Sequence, residues 1–236
     1  MAPGITFTIS GKEIYIHDTV VNSWIIVILL SIFAIVVNRK VKKANIEEKP
    51  TGLLNVMEIF VEVVQSLVKS TMGPSRVGFT PFIGTIALYL ICANLFGLLG
   101  FSPPTSDYNV TLALAIITTV LIHFFGIKAN GIGSYLKGFF EPVPILFPIN
   151  LLGEIATPIS LSFRLFGNIL SGVIIMSLVY SALNSISMFI TPFIAPILHA
   201  YFDLFSGLIQ TFIFAMLTMV NIANKMGDDV PAGGTK

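Results

Sequence analysis

The amino-acid sequence predicts an all-α integral membrane protein with about five transmembrane helices. Of its 236 residues, 55% are hydrophobic and only 11% are charged, whereas about a quarter of a soluble globular protein is charged. Several apolar runs can cross a hydrocarbon core of about 30 Å, which takes about 20 helical residues. The Lys and Arg residues fall almost entirely on alternate loops. A net charge of +1 gives no indication of nucleic-acid binding.

Turn signals divide the apolar sequence into five membrane helices. The first run is too long for the apolar part of a signal peptide, and basic residues follow it rather than precede it, so we interpret it as a retained transmembrane helix. The later runs are separated by SPPTSD, KANGIGS and SALNS. We expect residues 1–236 to form a single membrane domain. The predicted membrane helices cover residues 19–37, 80–101, 108–127, 149–183 and 186–224.

The basic residues predict the orientation of the chain. They follow the first, third and fifth apolar runs and precede the second, whereas the other side of the membrane carries only Lys12. Because basic loops stay in the cytoplasm, we expect the N-terminus outside and the C-terminus in the cytoplasm. The basic residues on the cytoplasmic side are Arg39, Lys40, Lys42, Lys43, Lys49, Lys69, Arg76, Lys128, Lys137, Lys225 and Lys236.

An amphipathic helix is predicted over residues 51–72, before the second run. Its polar face carries Glu58, Glu62, Gln65 and Lys69. Such a helix either anchors in the membrane interface or packs against a partner, and the sequence leaves both open. The apolar residues at helical spacing are Leu53, Val56, Met57, Phe60, Val64, Leu67 and Val68.

The last two runs are too long to stand upright in a membrane. Residues 186–224 would form roughly 58 Å of helix, and ordinary tilts average about 20°. The run is therefore either broken, with Pro192 and Pro196 as candidate break points, or strongly oblique. Because no proline follows between residues 197 and 224, we expect a long, steeply tilted helical hairpin.

Each arm of this hairpin carries one stripe of polar residues at helical spacing. If the turn is centred on residue 187, Arg164 and Gln210 lie at similar depth, and Ser171 lies near Asp203. The first stripe is Thr157, Ser160, Arg164, Asn168 and Ser171; the second is His199, Asp203, Ser206, Gln210 and Asn221.

Arg164 is the residue that most requires a functional explanation. Its guanidinium stays protonated, and a permanent charge inside a membrane segment needs an anion. Glu154 lies on another face of the same helix, and Asp203 lies at another depth. The sequence therefore indicates that Arg164 takes its counter-ion from outside this chain.

The other polar residues have structural alternatives. Ser and Thr hydroxyls in membrane helices often bond to the preceding turn, which applies to Thr157, Ser160, Ser171 and Ser206. We interpret Asn94 as helix–helix glue, His123 as a packing histidine, His17 as a solvated loop residue and Cys92 as a small buried residue. For His199, packing and function are equally open. A membrane carboxyl usually marks an ion path, which favours function for Glu154 and Asp203.

Two segments of the last two apolar runs resemble a known protein family. SLSFRLFGN at residues 160–168 and GLIQTFIFAMLTMVNIA at residues 207–223 resemble subunit a of the membrane (Fo) sector of F-type rotary ATP synthases. TGLLNVMEIF and PFIGTIALYLICANLFGLLGFSPPT extend the resemblance over most of the chain. The resemblance implies an ion-translocating stator subunit. Its Arg164 would face the carboxylates of a rotating ring of c subunits and separate two aqueous half-channels.

The resemblance also assigns the neighbouring residues. Asn168 and Gln210 match polar residues near the family's arginine, and Glu154 matches an acid at the cytoplasmic start of the same arm. Many relatives have an acid or histidine where Val173 stands here, so the outer half-channel is expected to be rebuilt around Asp203 and His199. Ser171 and Ser206 complete the set of expected ion-translocation residues.

The implied partners are the c-subunit ring, the peripheral-stalk b subunits, the rest of the ATP synthase complex and membrane lipid, with H⁺ or Na⁺ as the translocated ion. The implied location is the bacterial plasma membrane. We expect no catalytic residues, metal or cofactor, because the chain lacks a phosphate-binding G-x-x-x-x-G-K-[ST] loop. An autonomous secondary transporter is the alternative, but it predicts paired repeats with broken helices, which the sequence lacks. A purely structural scaffold leaves Arg164 unexplained.

Overall fold

A computed structural model describes residues 5–9, 12–44, 52–141, 143–186 and 191–227. Within these residues, 5 helices are long and apolar enough to cross a membrane. The all-α membrane fold predicted from hydropathy is therefore confirmed. The expected centre of the turn between the last two arms, residue 187, lies outside the described residues. The spanning helices are Asp18–Lys43, Pro74–Leu99, Tyr108–Asn130, Pro144–Ser185 and Thr191–Met226.

The regular elements follow one another with short connections. A 3₁₀ segment, Pro74–Phe79, leads into the second spanning helix, and further 3₁₀ turns lie at Phe96–Leu99, Pro104–Ser106 and Pro144–Leu146. The π-helical segment Ala200–Phe205 joins the last two α-helices. The strands and α-helices are β1 (Ile5–Ile9), β2 (Lys12–Ile16), α1 (Asp18–Lys43), α2 (Leu53–Met72), α3 (Thr80–Leu95), α4 (Tyr108–Asn130), α5 (Ile132–Gly138), α6 (Phe147–Ile186), α7 (Thr191–His199) and α8 (Ser206–Met226).

Two elements were not predicted from the sequence. Strands β1 and β2 pair antiparallel from Ile5–Ile16 to Ile9–Lys12, so a small β-hairpin precedes the helices. The alternating residues of ITFTI and KEIYI are typical of strands. The KANGIGS stretch is not simply a turn, because α4 continues to Asn130 and α5 begins at Ile132. Only Gly131 between them leaves the helical region, with φ of 77°.

The first long arm is longer than the sequence predicted, and the second ends two residues later than predicted. At 40 residues, α6 is about 60 Å long, roughly twice the apolar thickness of a bilayer. Pro196 lies inside α7, and α7 continues through the π-helical segment into α8. The prolines therefore do not break the second arm. The lengths of both arms require an oblique hairpin.

The helices pack in two apolar clusters around α8. Val68 of α2, Ile83 of α3, Ile122 of α4 and Met219 of α8 belong to the first cluster. Part of the apolar face of the predicted amphipathic helix α2 thus packs on its own chain, while Val56, also predicted on that face, is 61% exposed. The second cluster joins α3, α4, α6 and α8, and its buried residues are Leu90, Ala115, Leu161, Leu165 and Phe214.

The ends of the bundle differ in charge. Asn130 at the end of α4 donates to the carbonyl of Lys225 at the end of α8, and the last turn of α1 carries Lys40, Lys42 and Lys43. Arg76, before α3, donates to the carbonyl of Gly227 over 2.5 Å. We call this end of the bundle the basic end. At the opposite end, Thr19 of α1 donates to Asp107 before α4 over 2.8 Å.

Candidate functional site

Arg164 lies near the middle of α6 with its side chain exposed. The neighbouring exposed residues are the apolar Ile159 and Phe163 and the small polar Ser160. Among the residues that the structure describes, none forms a hydrogen bond or ion pair with its guanidinium. Both acids of the hairpin have other partners: Glu154 pairs with Lys225, and Asp203 pairs with His199. A fixed positive charge thus faces outward from an apolar surface, as the sequence reasoning expected.

Asn168, one turn after Arg164, ties the two arms together. Its Nδ2 donates to Ser206 Oγ over 2.8 Å. A Cβ added to Gly172 would lie 3.3 Å from the Phe202 ring. Both pairs are placed symmetrically about residue 187, so the predicted register of the hairpin is confirmed along this stretch.

The Ser and Thr hydroxyls of the two polar stripes bond either to their own helix or to the other arm. Thr157 donates to the Gly153 carbonyl, and Ser171 donates to the Asn168 carbonyl. These two residues therefore follow the structural alternative of bonding to their own helix. Ser206 instead accepts from the other arm, so its hydroxyl helps to fix the hairpin.

Gln210 is turned into the bundle and is only 4% exposed. Within the described part of the chain, its Nε2 has no hydrogen-bond partner. A buried donor without an acceptor costs about 1–3 kcal/mol. The unpaired Nε2 of Gln210 is thus a buried donor that can bind a water molecule in the interior.

A polar cluster lies on the second arm, toward the end opposite the basic end. His199 Nδ1 is 2.6 Å from Asp203 Oδ2, and His199 Nε2 is 2.8 Å from the Tyr180 hydroxyl of α6. Asp203 lies within the π-helical segment, a distortion that is frequent at functional sites. A Cβ on Gly97 would lie 3.5 Å from the Asp203 carboxyl carbon. We call Tyr180, His199 and Asp203 the outer cluster.

A second polar cluster lines a cavity of about 610 Å³ at the basic end. The Lys225 ammonium is hydrogen-bonded to Glu154 Oε1, and His123 Nε2 is 3.8 Å from Glu154 Oε2. His123 Nδ1 is 2.5 Å from the Tyr135 hydroxyl of α5. Burial, together with the nearby Glu154 carboxylate, raises the pKa of Tyr135, which keeps this phenol protonated. We call Glu154, Lys225, His123 and Tyr135 the inner cluster.

Sequence reasoning missed three members of the inner cluster. His123 was interpreted as a packing histidine, yet it lines the cavity and approaches Glu154. Lys225 was used only as one of the basic residues that predict the orientation of the chain in the membrane. Tyr135 and the outer Tyr180 carry no pattern that distinguishes them from other aromatic residues. The usable signal was that His123 is the only ionisable side chain between Tyr108 and Lys128 in the sequence. Asn221, expected on the second stripe, also lines this cavity.

The remaining polar residues have the following positions. Asn94 is 2% exposed, donates to the Gly207 carbonyl and accepts from Thr105 Oγ1, so its interpretation as helix–helix glue is confirmed. His17 caps α1, its Nδ1 accepting from the Thr19 amide. Cys92 is only half-buried rather than a core residue. Among the described residues, no group of three His, Cys, Asp or Glu side chains could hold a metal ion.

The fold and these clusters define a class of protein. A long membrane hairpin that presents a cation without a partner among the described residues, with polar clusters toward both ends, is typical of an ion-translocating membrane subunit. Comparison with known proteins identifies the family. The family model described as ATP synthase A chain matches residues 20–223. The chain therefore belongs to the ATP synthase A chain family, whose members are ion-translocating stator subunits of the ATP synthase.

Individual relatives match over most of the chain. The ATP synthase subunit a of Moorella thermoacetica is 34% identical over 210 residues, covering 89% of this chain and 90% of that relative. The sodium ion specific ATP synthase subunit a of Propionigenium modestum is 36% identical over 227 residues, covering 89% of this chain and 74% of that relative. The ATP synthase subunit a of Anoxybacillus flavithermus is 39% identical over 196 residues, covering 78% of this chain and 83% of that relative.

Proposed function

We propose that Arg164 is the essential charge of ion translocation and faces the carboxylates of a rotating c-subunit ring. The supporting observation is its exposed guanidinium, which has no partner among the described residues while both acids of the hairpin are paired elsewhere. At an intermediate dielectric, attraction to a carboxylate is worth about 4 kcal/mol at 4 Å. This attraction favours the ionised carboxylate and so releases its ion. Because arginine keeps its own proton, it performs this task better than lysine.

Two half-channels would bring the ion to and from the ring on either side of Arg164. The cavity lined by the inner cluster supports an inner half-channel that contains Glu154. The outer cluster supports an outer half-channel built around Asp203 and His199. Asn168, Ser171, Ser206 and Gln210 lie between the two clusters along the hairpin. An ion would leave one half-channel only by way of the ring, because the Arg164 charge blocks a direct path.

The basic end of the bundle would lie in the cytoplasm, with the N-terminus outside, in a bacterial plasma membrane. This orientation follows from the retention of basic loops. Within the complex, the chain would contact the c-subunit ring, the peripheral-stalk b subunits and lipid. It would itself be non-catalytic, with ATP chemistry on other subunits. H⁺ and Na⁺ are both compatible with the site, and one relative is named as sodium ion specific.

Replacing the arginine in the assembled complex tests the proposal. Arg164→Ala should abolish ion-driven ATP synthesis in proteoliposomes while the complex still assembles. Ser160→Ala is the matched control, because Ser160 is also exposed and lies one turn earlier on α6. It should retain most of the synthesis rate. Normal coupled synthesis by Arg164→Ala would refute the proposed role.

A further inference from the structure

The cavity at the basic end contains a carboxylate whose counter-ion belongs to the same chain. The Lys225 ammonium of α8 is hydrogen-bonded to Glu154 Oε1 of α6. The two residues are 71 positions apart in sequence, so tertiary packing rather than helical spacing brings them together. Both side chains are mostly buried, 30% and 22% exposed. The pair therefore lies on the cavity wall rather than in a freely solvated loop.

Several elements hold Lys225 in this position. Asn130 of α4 donates to its backbone carbonyl over 2.8 Å. Its ammonium lies 5.6 Å from the ring centre of Tyr135 and 5.3 Å from that of Phe139, within the range of cation–π attraction. A Cβ on Gly126 would lie 3.1 Å from Lys225 Cβ, so α4 approaches closely only because it carries glycine there. The ammonium is thus positioned by α4, α6 and the α5 region together.

A bare carboxylate in such a cavity would attract cations. Glu154 and the more exposed Glu141 both line it, and carboxylate oxygens suit Na⁺ and other hard cations. A tethered cation competes with free ions at a high effective concentration, because its binding is intramolecular. Lys225 therefore occupies the position at Glu154 that a free cation would otherwise take.

We propose that Lys225 is a built-in counter-cation of the inner cavity that prevents free metal cations from binding at Glu154. His123 and the polar cavity wall then remain available to the passing ion. The relevance of this device to ion flow rests on the proposed inner half-channel. The electrostatic effect itself does not, so it can be measured separately.

Charged thiol reagents report this electrostatic effect in the assembled complex. Ser134 lines the cavity, and Ser134→Cys in a Cys92→Ser background provides a reporter on this subunit. The measured quantity is the ratio of its labelling rates with a cationic and an anionic methanethiosulfonate. Removing one unit charge within several ångströms of the reporter should change this ratio at least about tenfold at intermediate dielectric.

Lys225→Gln should raise the cation-to-anion ratio at least about tenfold, since Glu154 loses its counter-ion. Glu154→Gln in addition should return the ratio to that of the parent. Glu154→Gln alone should lower the cation-to-anion ratio, because the positive charge of Lys225 is then no longer neutralised. This variant tests the proposal even if Lys225→Gln fails to assemble. Lys40→Gln is the matched control, because Lys40 is an exposed lysine in the last turn of α1, at the same end of the bundle but outside the cavity wall. Its ratio should stay within about twofold of the parent.

An unchanged ratio in Lys225→Gln or in Glu154→Gln overturns the proposal, as does an equal rise in Lys40→Gln. The functional consequence has its own measurement. With choline replacing K⁺ at constant ionic strength and constant Na⁺, ATP-driven ion pumping by Lys225→Gln should be inhibited by K⁺ at least about tenfold more strongly than that of the parent. K⁺ sensitivity equal to the parent would refute occupation of the cation position. Labelling needs no ion flux, so a failure of the role proposed for Arg164 leaves the labelling result intact.

Discussion

Asp203 provides the sharpest test of the outer half-channel. Asp203→Asn keeps the size and shape of the side chain but removes its negative charge. The carboxylate is 2.6 Å from His199 and its side chain is only 16% exposed. A cation about 4 Å away gains roughly 4 kcal/mol from it at an effective dielectric of about 20. Partial solvent screening leaves about a third of this, roughly 1.4 kcal/mol, which corresponds to about a tenfold change in rate.

The measurement is passive ion conduction through the membrane sector in vesicles under a fixed diffusion potential, after the soluble part of the complex is removed. We expect Asp203→Asn to conduct about tenfold more slowly than the parent. Val173→Ala is the control, because Val173 lies on the other arm at the position where many relatives carry an acid or histidine. It should conduct within about twofold of the parent. Equal effects of the two substitutions would show that Asp203 is not part of the ion path.

Two further predictions concern the packing that positions the site. Gly207→Ala should lower the amount of assembled complex recovered from membranes, because its Cβ would lie 2.9 Å from Asn94 Cβ. Gly133→Ala is the control and should leave the recovered amount unchanged, because nothing lies within 4 Å of its Cβ. Equal recovery of the two variants would contradict the predicted clash. In a double-mutant cycle of Asn168→Ala and Ser206→Ala, thermal unfolding of the complex should give a coupling energy of about 0.6 kcal/mol. If the destabilising effects of the two substitutions simply add, the 2.8 Å hydrogen bond between these residues does not stabilise the hairpin.

The membrane spans and the register of the hairpin could be predicted because both depend on information ordered along the chain. Hydropathy locates each span, and the distance of each polar residue from the turn sets its depth. Asn168 and Ser206 meet where that reasoning placed them. The β-hairpin could also have been found, because the alternation of ITFTI is local. It was missed because the apolar composition of the chain favours helices everywhere.

The inner cluster could not be predicted in the same way. Its members come from α4, α5, α6 and α8, and only tertiary packing brings together His123, Tyr135, Glu154 and Lys225. No spacing rule connects such distant positions. For a similar reason, periodicity predicted the apolar face of α2 but not which part of it the chain buries, since Val68 is buried and Val56 is 61% exposed. A helix that packs on its own chain buries the side that its neighbours cover, and periodicity alone does not identify those neighbours.

The hydrogen bonds of the buried Asn94 side chain resist sliding of α8 along α3. This side chain links α3 to the Gly207 carbonyl and the Thr211 hydroxyl of α8, while its own carbonyl is bonded by Thr105. Sliding α8 by one turn, about 5.4 Å, would break every one of these links at once and bring a bulkier residue against Asn94 in place of Gly207. Small displacements are therefore resisted steeply. The Asn94 links therefore hold the second arm of the hairpin at a fixed height against α3.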